Sequence, residues 1–269
     1  MDHPICTRCG ASYPRSPRPP LQCAICQDDR EAVRVGGQCW TSRGAMQGHY
    51  RTVFTPLDPG VVAVATMPGF AIDQQAYLVQ TEHGNVLWDC VAFLDEATVA
   101  EVRRLGGVAA IALSHPHFYS GMSAWSHALG DVPIYVHASD RQWVTQPVET
   151  LRVWEGETHA LMPGFTLVRC GGHFPGSAAL HWAGGAGGQG ALFTGDTISV
   201  AEDHRWVSFM YSYVNDIPLS AAAVRGIAAA VTPYPFDRLY GGWEGQVVGP
   251  DARGAVLRST ERYIAHLQG

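Results

Sequence analysis

The stretch Val108-Ala109-Ala110-Ile111-Ala112-Leu113-Ser114-His115-Pro116-His117-Phe118-Tyr119-Ser120 sets an unbroken apolar run directly before two histidines. The run follows Gly106-Gly107 and suits a strand buried on both faces. Pro116 biases His115 toward extended backbone. Residues i and i+2 of an extended segment point the same way, so both imidazoles can face one point. Neutral imidazole is a good ligand for zinc, iron or manganese. Two surface histidines flanking a proline by chance would read the same, so the pair gains meaning only from partners.

Working outward, strands and helices alternate. Val61–Thr66 is a β-rich run, and Ala76–Gln80 and Val86–Asp89 read as strands joined by a turn at His83-Gly84-Asn85. Asp95 can cap a helix with Val99, Val102 and Leu105 on one face, stopped by Gly106-Gly107. Further strands are predicted at Ile134–Val136, Phe165–Cys170, Ala179–Trp182, Ala191–Thr194 and Leu239–Tyr240. Gly184–Gly190 is a glycine-rich turn. Pro218 is expected to open an Ala-rich helix to about Val231, and Arg253–Leu267 forms a last helix. Strands followed by single helices, repeated, argue for stacked α/β layers with the sheets inside.

Two later features supply the partners. Gly171-Gly172-His173-Phe174-Pro175-Gly176 places a histidine in a glycine-rich turn after a strand. Phe193-Thr194-Gly195-Asp196-Thr197 ends another strand in Gly-Asp. A strand-end aspartate is commonly a cap or turn former. Together, however, three imidazoles and one carboxylate fall at strand ends, where active sites of sheet-based α/β folds gather.

This order over residues 60–265 resembles the metallo-β-lactamase superfamily. In that family a His-x-His-x-Asp-His motif is followed by a lone His in a Gly-His turn, an Asp at a Gly-Asp strand end and a late His. His115 and His117 match the first pair, His173 the lone histidine and Asp196 the aspartate. The resemblance implies an α/β fold of the αββα metallo-β-lactamase sandwich type. Departures stand beside the matches. Tyr119-Ser120 occupies the Asp-His positions, and Trp243 stands where the last ligand histidine is expected. With the second-metal ligands largely absent, the residual set implies a mononuclear site, with Asp196 as fourth ligand or as base. Three imidazoles suit zinc. His115, His173 and Asp196 alternatively form the two-His-one-carboxylate face of non-haem iron, which resembles the family's persulfide dioxygenases. Tyr119 reads equally as a phenol donor to an oxyanion or as a bulky plug. Trp243 is expected to shape the pocket, and Tyr211 and Tyr213, just past the Asp196 strand, to contact substrate.

Residues 1–30 form a different module. Cys6-x-x-Cys9 and Cys23-x-x-Cys26, joined by a proline-rich link, resemble zinc ribbons and rubredoxin-like knuckles. Four thiolates suit zinc as a structural staple, or iron as an electron carrier. Residues 31–60, with Gly36, Gly37, Gly44 and Gly48 and little periodicity, read as a connector to a domain at 61–269. Cys39, Cys90 and Cys170 have no paired spacing, and His137 and His181 read as packed rather than ligating.

Composition narrows the chemistry. The chain has 269 residues and no lysine, its 18 basic side chains all being arginine. Schiff-base catalysis and a phosphate-loop lysine are thereby excluded. A net charge of −6 gives no reason to expect nucleic acid or an anionic membrane as partner. The polar, cysteine-bearing start lacks a signal-peptide pattern, so a reducing, cytoplasmic location is expected. The expected activity is hydrolysis of a small ester, thioester, lactone or phosphoester. The competing expectations are a non-haem iron redox enzyme with an iron-loaded knuckle, and a non-catalytic binding protein.

Overall fold

The computed structural model describes residues 3–268. They form two compact units: one runs up to Val136 and includes Arg141–Val153, and the other comprises His137–Asp140 and the chain from Trp154 onward.

The first unit is built on a seven-stranded sheet whose spatial order follows the chain: β1 (Arg51–Asp58), β2 (Val61–Met67), β3 (Ala76–Val79), β4 (Val86–Trp88), β5 (Ala110–Ala112), β6 (Ile134–His137) and β7 (Leu151–Trp154). β1 to β4 pair antiparallel, and β4–β5 and β5–β6 pair parallel. β3, β4 and β5 are buried at every position, which is why they read as continuous apolar runs rather than alternating ones. Helix α1 (Glu96–Arg104) starts where Asp95 accepts the Thr98 amide and ends before Gly106 and Gly107, both at positive φ. Helix α2 is Met122–Ala128. Val102, Met122 and Trp125 from these helices join Leu78, Leu87, Ile111 and Ile134 of the sheet in one core.

β1 lies inside the segment read from sequence as a connector. It is an edge strand paired only with β2, most of its side chains are partly or fully exposed, and Pro56 interrupts it. An edge strand without a buried face has no hydrophobic alternation to detect. Trp40–Thr41, also in that segment, pairs with Ile5–Cys6.

The second unit carries a six-stranded sheet ordered β8 (Thr158–Met162), β9 (Phe165–Arg169), β10 (Ala178–Trp182), β11 (Ala191–Phe193), β12 (Arg238–Tyr240) and β13 (Val247–Val248). Only β11–β12 is parallel. Helices α3 (Ala221–Val231) and α4 (Ala252–Gln268) pack Val224, Ile227, Val231, Val256 and Ile264 against Ala179, Leu192 and Leu239. α3 opens later than the sequence suggests. Pro218 belongs to a two-residue strand paired with Met210–Ser212, and Ser220 is the N-cap, accepting the Ala223 amide. Gly184–Gly190 is a tight turn whose central residues, Ala186 and Gly187, lie at positive φ. Gly190, at φ +85°, approaches the Pro235 carbonyl so closely that a Cβ would overlap it. Among the described residues no helix is long and apolar enough to cross a membrane.

Two glycines of the second unit therefore have opposite expectations. Gly226 is exposed within α3 with open space around it, so Gly226→Ala should stabilise the protein by about 0.5–1 kcal/mol. Gly190→Ala should destabilise it by at least about 2 kcal/mol. Urea unfolding of both variants checks this, and shifts of the same sign would contradict the local geometry.

Candidate metal centres

The four knuckle sulfurs lie within 4.8 Å of one another, all buried. Cys6 and Cys26 are 3.6 Å apart and Cys9 and Cys23 3.5 Å apart, near the edge of about 3.8 Å expected for a tetrahedron with 2.3 Å metal–sulfur bonds. Donors aim at the sulfurs. Gln38 Nε2 and the Arg8 amide donate to Cys6 Sγ at 3.1 and 3.4 Å, and the Tyr13 hydroxyl donates to Cys23 Sγ at 3.4 Å. Within the cluster the sulfurs share protons: hydrogen bonds from Cys23 and then Cys26 pull Cys6 far below an ordinary thiol and one from Cys26 lowers Cys23, while those to Cys23 push Cys9 and Cys26 well above it. The outside donors at Gln38, Arg8 and Tyr13 favour negative charge on the sulfurs they reach. All four cysteines are free of disulfides, so the set fits a tetrahedral cation. Tyr13 and Ile25 pack around them with Trp40 and Trp143.

In the first unit, the histidine pair follows β5. His115 is extended, at φ −171° and ψ 174°, but Pro116–Phe118 form a 3-10 turn. His117 thus reaches its position through the turn and not through the strand alternation expected from sequence. The two rings, both buried, sit 5.2 Å apart at 74°. His115 Nδ1 lies 2.9 Å from Ser114 Oγ. The backbone before the pair is clamped by Asp89, a fully buried aspartate in left-handed geometry, whose carboxylate accepts the Ser114 amide at 2.7 Å.

In the second unit, His173 and Asp196 come together. His173 Nδ1 is 3.1 Å from the Met210 carbonyl, which can only accept, so Nδ1 carries the proton and Nε2 keeps its lone pair. That Nε2 sits 3.4 Å from Asp196 Oδ1, and both side chains are buried. The loop around His173 is closed by bonds from the Cys170 and Gly171 amides to the Ser177 carbonyl and from the Phe174 amide to Ser177 Oγ. Asp140, fully buried, accepts the Gly176 amide at 2.8 Å. Gly172, at φ +78°, packs against Ile227 of α3 where a Cβ would not fit. The Tyr213 hydroxyl donates to the Asp196 carbonyl oxygen at 2.8 Å, and its ring is 6.0 Å from His173. Burial, and then the Asp196 carboxylate, push the Tyr213 phenol well above its ordinary range, so it remains a donor.

Tyr119 is 6% exposed and packs in the core of the first unit, alongside Met122 and Trp125. The Ser120 hydroxyl accepts from Gln74 Nε2 at 2.6 Å and donates to the Cys90 carbonyl at 3.3 Å. Tyr211 is half-buried against the core of the second unit. Trp243 is half-buried in the turn after β12. His137 and His181 bond backbone carbonyls of Gly156 and Pro235, and burial holds both below the usual imidazole value. Sequence reasoning missed Asp89, Asp140, Gln74 and the Met210 carbonyl. Asp89 ends a predicted strand as Asp196 does, and that shared position is the one signal that could have marked it.

The metallo-β-lactamase superfamily model matches residues 71–244, well over half the chain. The uncharacterised protein YmaE of Bacillus subtilis (strain 168) is 45% identical over 269 residues, covering 99% of this chain and 97% of its own. Among solved structures, the metallo-β-lactamase FIM-1 from Pseudomonas aeruginosa in its mono-zinc form superposes with a TM-score of 0.57 at 15% identity, covering 79% of this chain and 96% of that one. TTHA1623 in a di-iron-bound form gives 0.50 at 24% identity, covering 77% and 98%. The sheet-and-helix architecture is shared with these structures, and the family model places the chain in the metallo-β-lactamase superfamily, to which it belongs.

Proposed function

We propose that this chain is a metal-dependent hydrolase of a small ester, thioester, lactone or phosphoester. His115, His117, His173 and Asp196 would hold one cation, and the cysteine knuckle would hold a structural zinc. Superfamily membership supports hydrolysis in general. The fate of the positions that would bind a second metal carries the mononuclear reading. Ser120 spends its hydroxyl on Gln74 and Cys90, Tyr119 is core, and Trp243 offers an indole that binds no metal. The retained donors are all buried, and His173 has a fixed tautomer.

A divalent cation so held supplies Lewis acidity to an acyl or phosphoryl oxygen and acidifies a water. The protein's own groups do the rest. Met210 and Ser114 orient the rings of His173 and His115. Tyr213 fixes the backbone of Asp196, whose carboxylate serves as ligand or takes the proton of the attacking water. Tyr213 thereby acts as a positioning residue, in place of the substrate contact expected from sequence.

Protein purified without added metal should contain two equivalents per chain, with zinc in both places and no visible colour. His115→Ala should retain one equivalent and its circular dichroism while losing about 100-fold or more in kcat/KM on the best substrate of a thioester, lactone and phosphodiester panel. A single equivalent in the wild type, or turnover untouched by His115→Ala, would remove the hydrolase reading. A red protein with iron in the knuckle would replace it with the redox one. Tyr213→Phe should weaken the second equivalent by about tenfold in chelator competition, as loss of a group supporting a ligand does. Unchanged competition would leave Tyr213 a packing residue.

A further inference from the structure

Ser120 stands where the family pattern places a ligand histidine, and the structure shows what it meets instead. Gly10, the residue after Cys9 in the knuckle, lies against it. A Cβ on Gly10 would sit 2.9 Å from Ser120 Cβ and 3.3 Å from Ala92 Cβ, so the knuckle backbone is in van der Waals contact with the loop three residues beyond His117. Gly10 has φ +78°, a left-handed conformation set by the knuckle turn, in which its amide donates to the Cys6 carbonyl and the Cys6 amide to the Ala11 carbonyl. The same strip is anchored on its flanks. Thr145 Oγ1 donates to the Ser12 carbonyl at 2.6 Å, and Ile5 packs with Met46, Ala92 and Phe93. Ala92 follows Cys90 and Val91, whose carbonyls receive Ser120 Oγ and Trp125 Nε1. Gly121, at φ +70°, is pressed so closely onto the Val91 carbonyl that a Cβ would lie 2.6 Å from it. Ser120 and Gly121, at the end of the histidine loop, therefore lie between the knuckle and the loop at residues 90–92. Every contact in this chain lies within the first unit.

We propose that the knuckle metal governs the histidine loop. By fixing the Cys6–Ala11 turn it holds Gly10 against Ser120, and so holds His115 and His117 in their ligand geometry. A segment this short has little apolar core of its own and depends on the staple for its fold. When the knuckle metal leaves, Gly10 is released, the loop from His115 to Gly121 loosens, and the histidine centre binds its own metal less tightly. By linkage, a filled histidine centre tightens the knuckle metal by the same factor. The last two statements rest on the histidine centre proposed above, whereas the loosening of the loop does not.

The full-length chain tests this with Cys26→Ser, which breaks the knuckle, and Gly10→Ala, which keeps all four cysteines but pushes on Ser120. Hydrogen–deuterium exchange should rise about tenfold at amides 115–121 in both variants, with α4 in the second unit unchanged. Cobalt(II) titration against a chelator should show the equivalent at the histidine centre weakened about tenfold in both. Unchanged exchange at 115–121 in both variants would overturn the proposal, as would rises of equal size in α4 with Gly10→Ala. Should Cys26→Ser unfold throughout, Gly10→Ala decides by the same two outcomes. A wild-type chain that binds one equivalent only would sink the histidine centre, while the exchange measurement would still judge the coupling.

Discussion

Both loops that carry the candidate ligand histidines are fixed by a buried aspartate that accepts a backbone amide. Asp89 takes the amide of Ser114, the residue before His115, and Asp140 takes that of Gly176, three residues after His173. A charge-assisted bond to a main-chain donor fixes a loop where no strand ladder reaches. Both carboxylates are fully buried, so removing either bond leaves a desolvated group with part of its hydrogen bonding missing. Imidazole ligands need this rigidity, because a cation rewards donors already in position. The tautomer lock on His173 adds a further control, turning Nδ1 to the main chain and keeping the Nε2 lone pair out of that bond.

Much of this was legible in the sequence, and the reasons are local. Asp95 as helix cap, Gly106-Gly107 as stop and Ala110–Ala112 as a buried parallel strand follow from side-chain chemistry and from burial on both faces. The pairing of His115 with His117, and of His173 with Asp196, was expected from strand-end positions, although His117 arrives there through a 3-10 turn. What escaped is non-local. β1 was hidden because an edge strand carrying Pro56 has no alternating pattern. Asp140 was hidden because its partner lies 36 residues away in sequence. The bond from the Tyr213 hydroxyl to the Asp196 carbonyl was hidden for the same reason, its partners being 17 residues apart.

Tyr119 and Ser120 both have a use in the structure. Each side chain is engaged in the first unit: one is a core aromatic, and the other is a short hydroxyl bridging Gln74 and Cys90. A compact residue at 120 gives the N-terminal cysteine module a flat place to rest. The module is bound into the first unit by a strand pair, a side-chain hydrogen bond and apolar packing, unlike a tethered bead on a linker.

β1 has a further consequence through the edge it presents. Proline 56 removes one main-chain donor, and the register shift between Pro56 and Asp58 breaks the regular spacing of the others. An outer strand so interrupted is a poor template for another extended segment, which must match donors and acceptors in sequence. On this side the seven-stranded sheet is thus guarded against growth by edge-to-edge pairing with further chains.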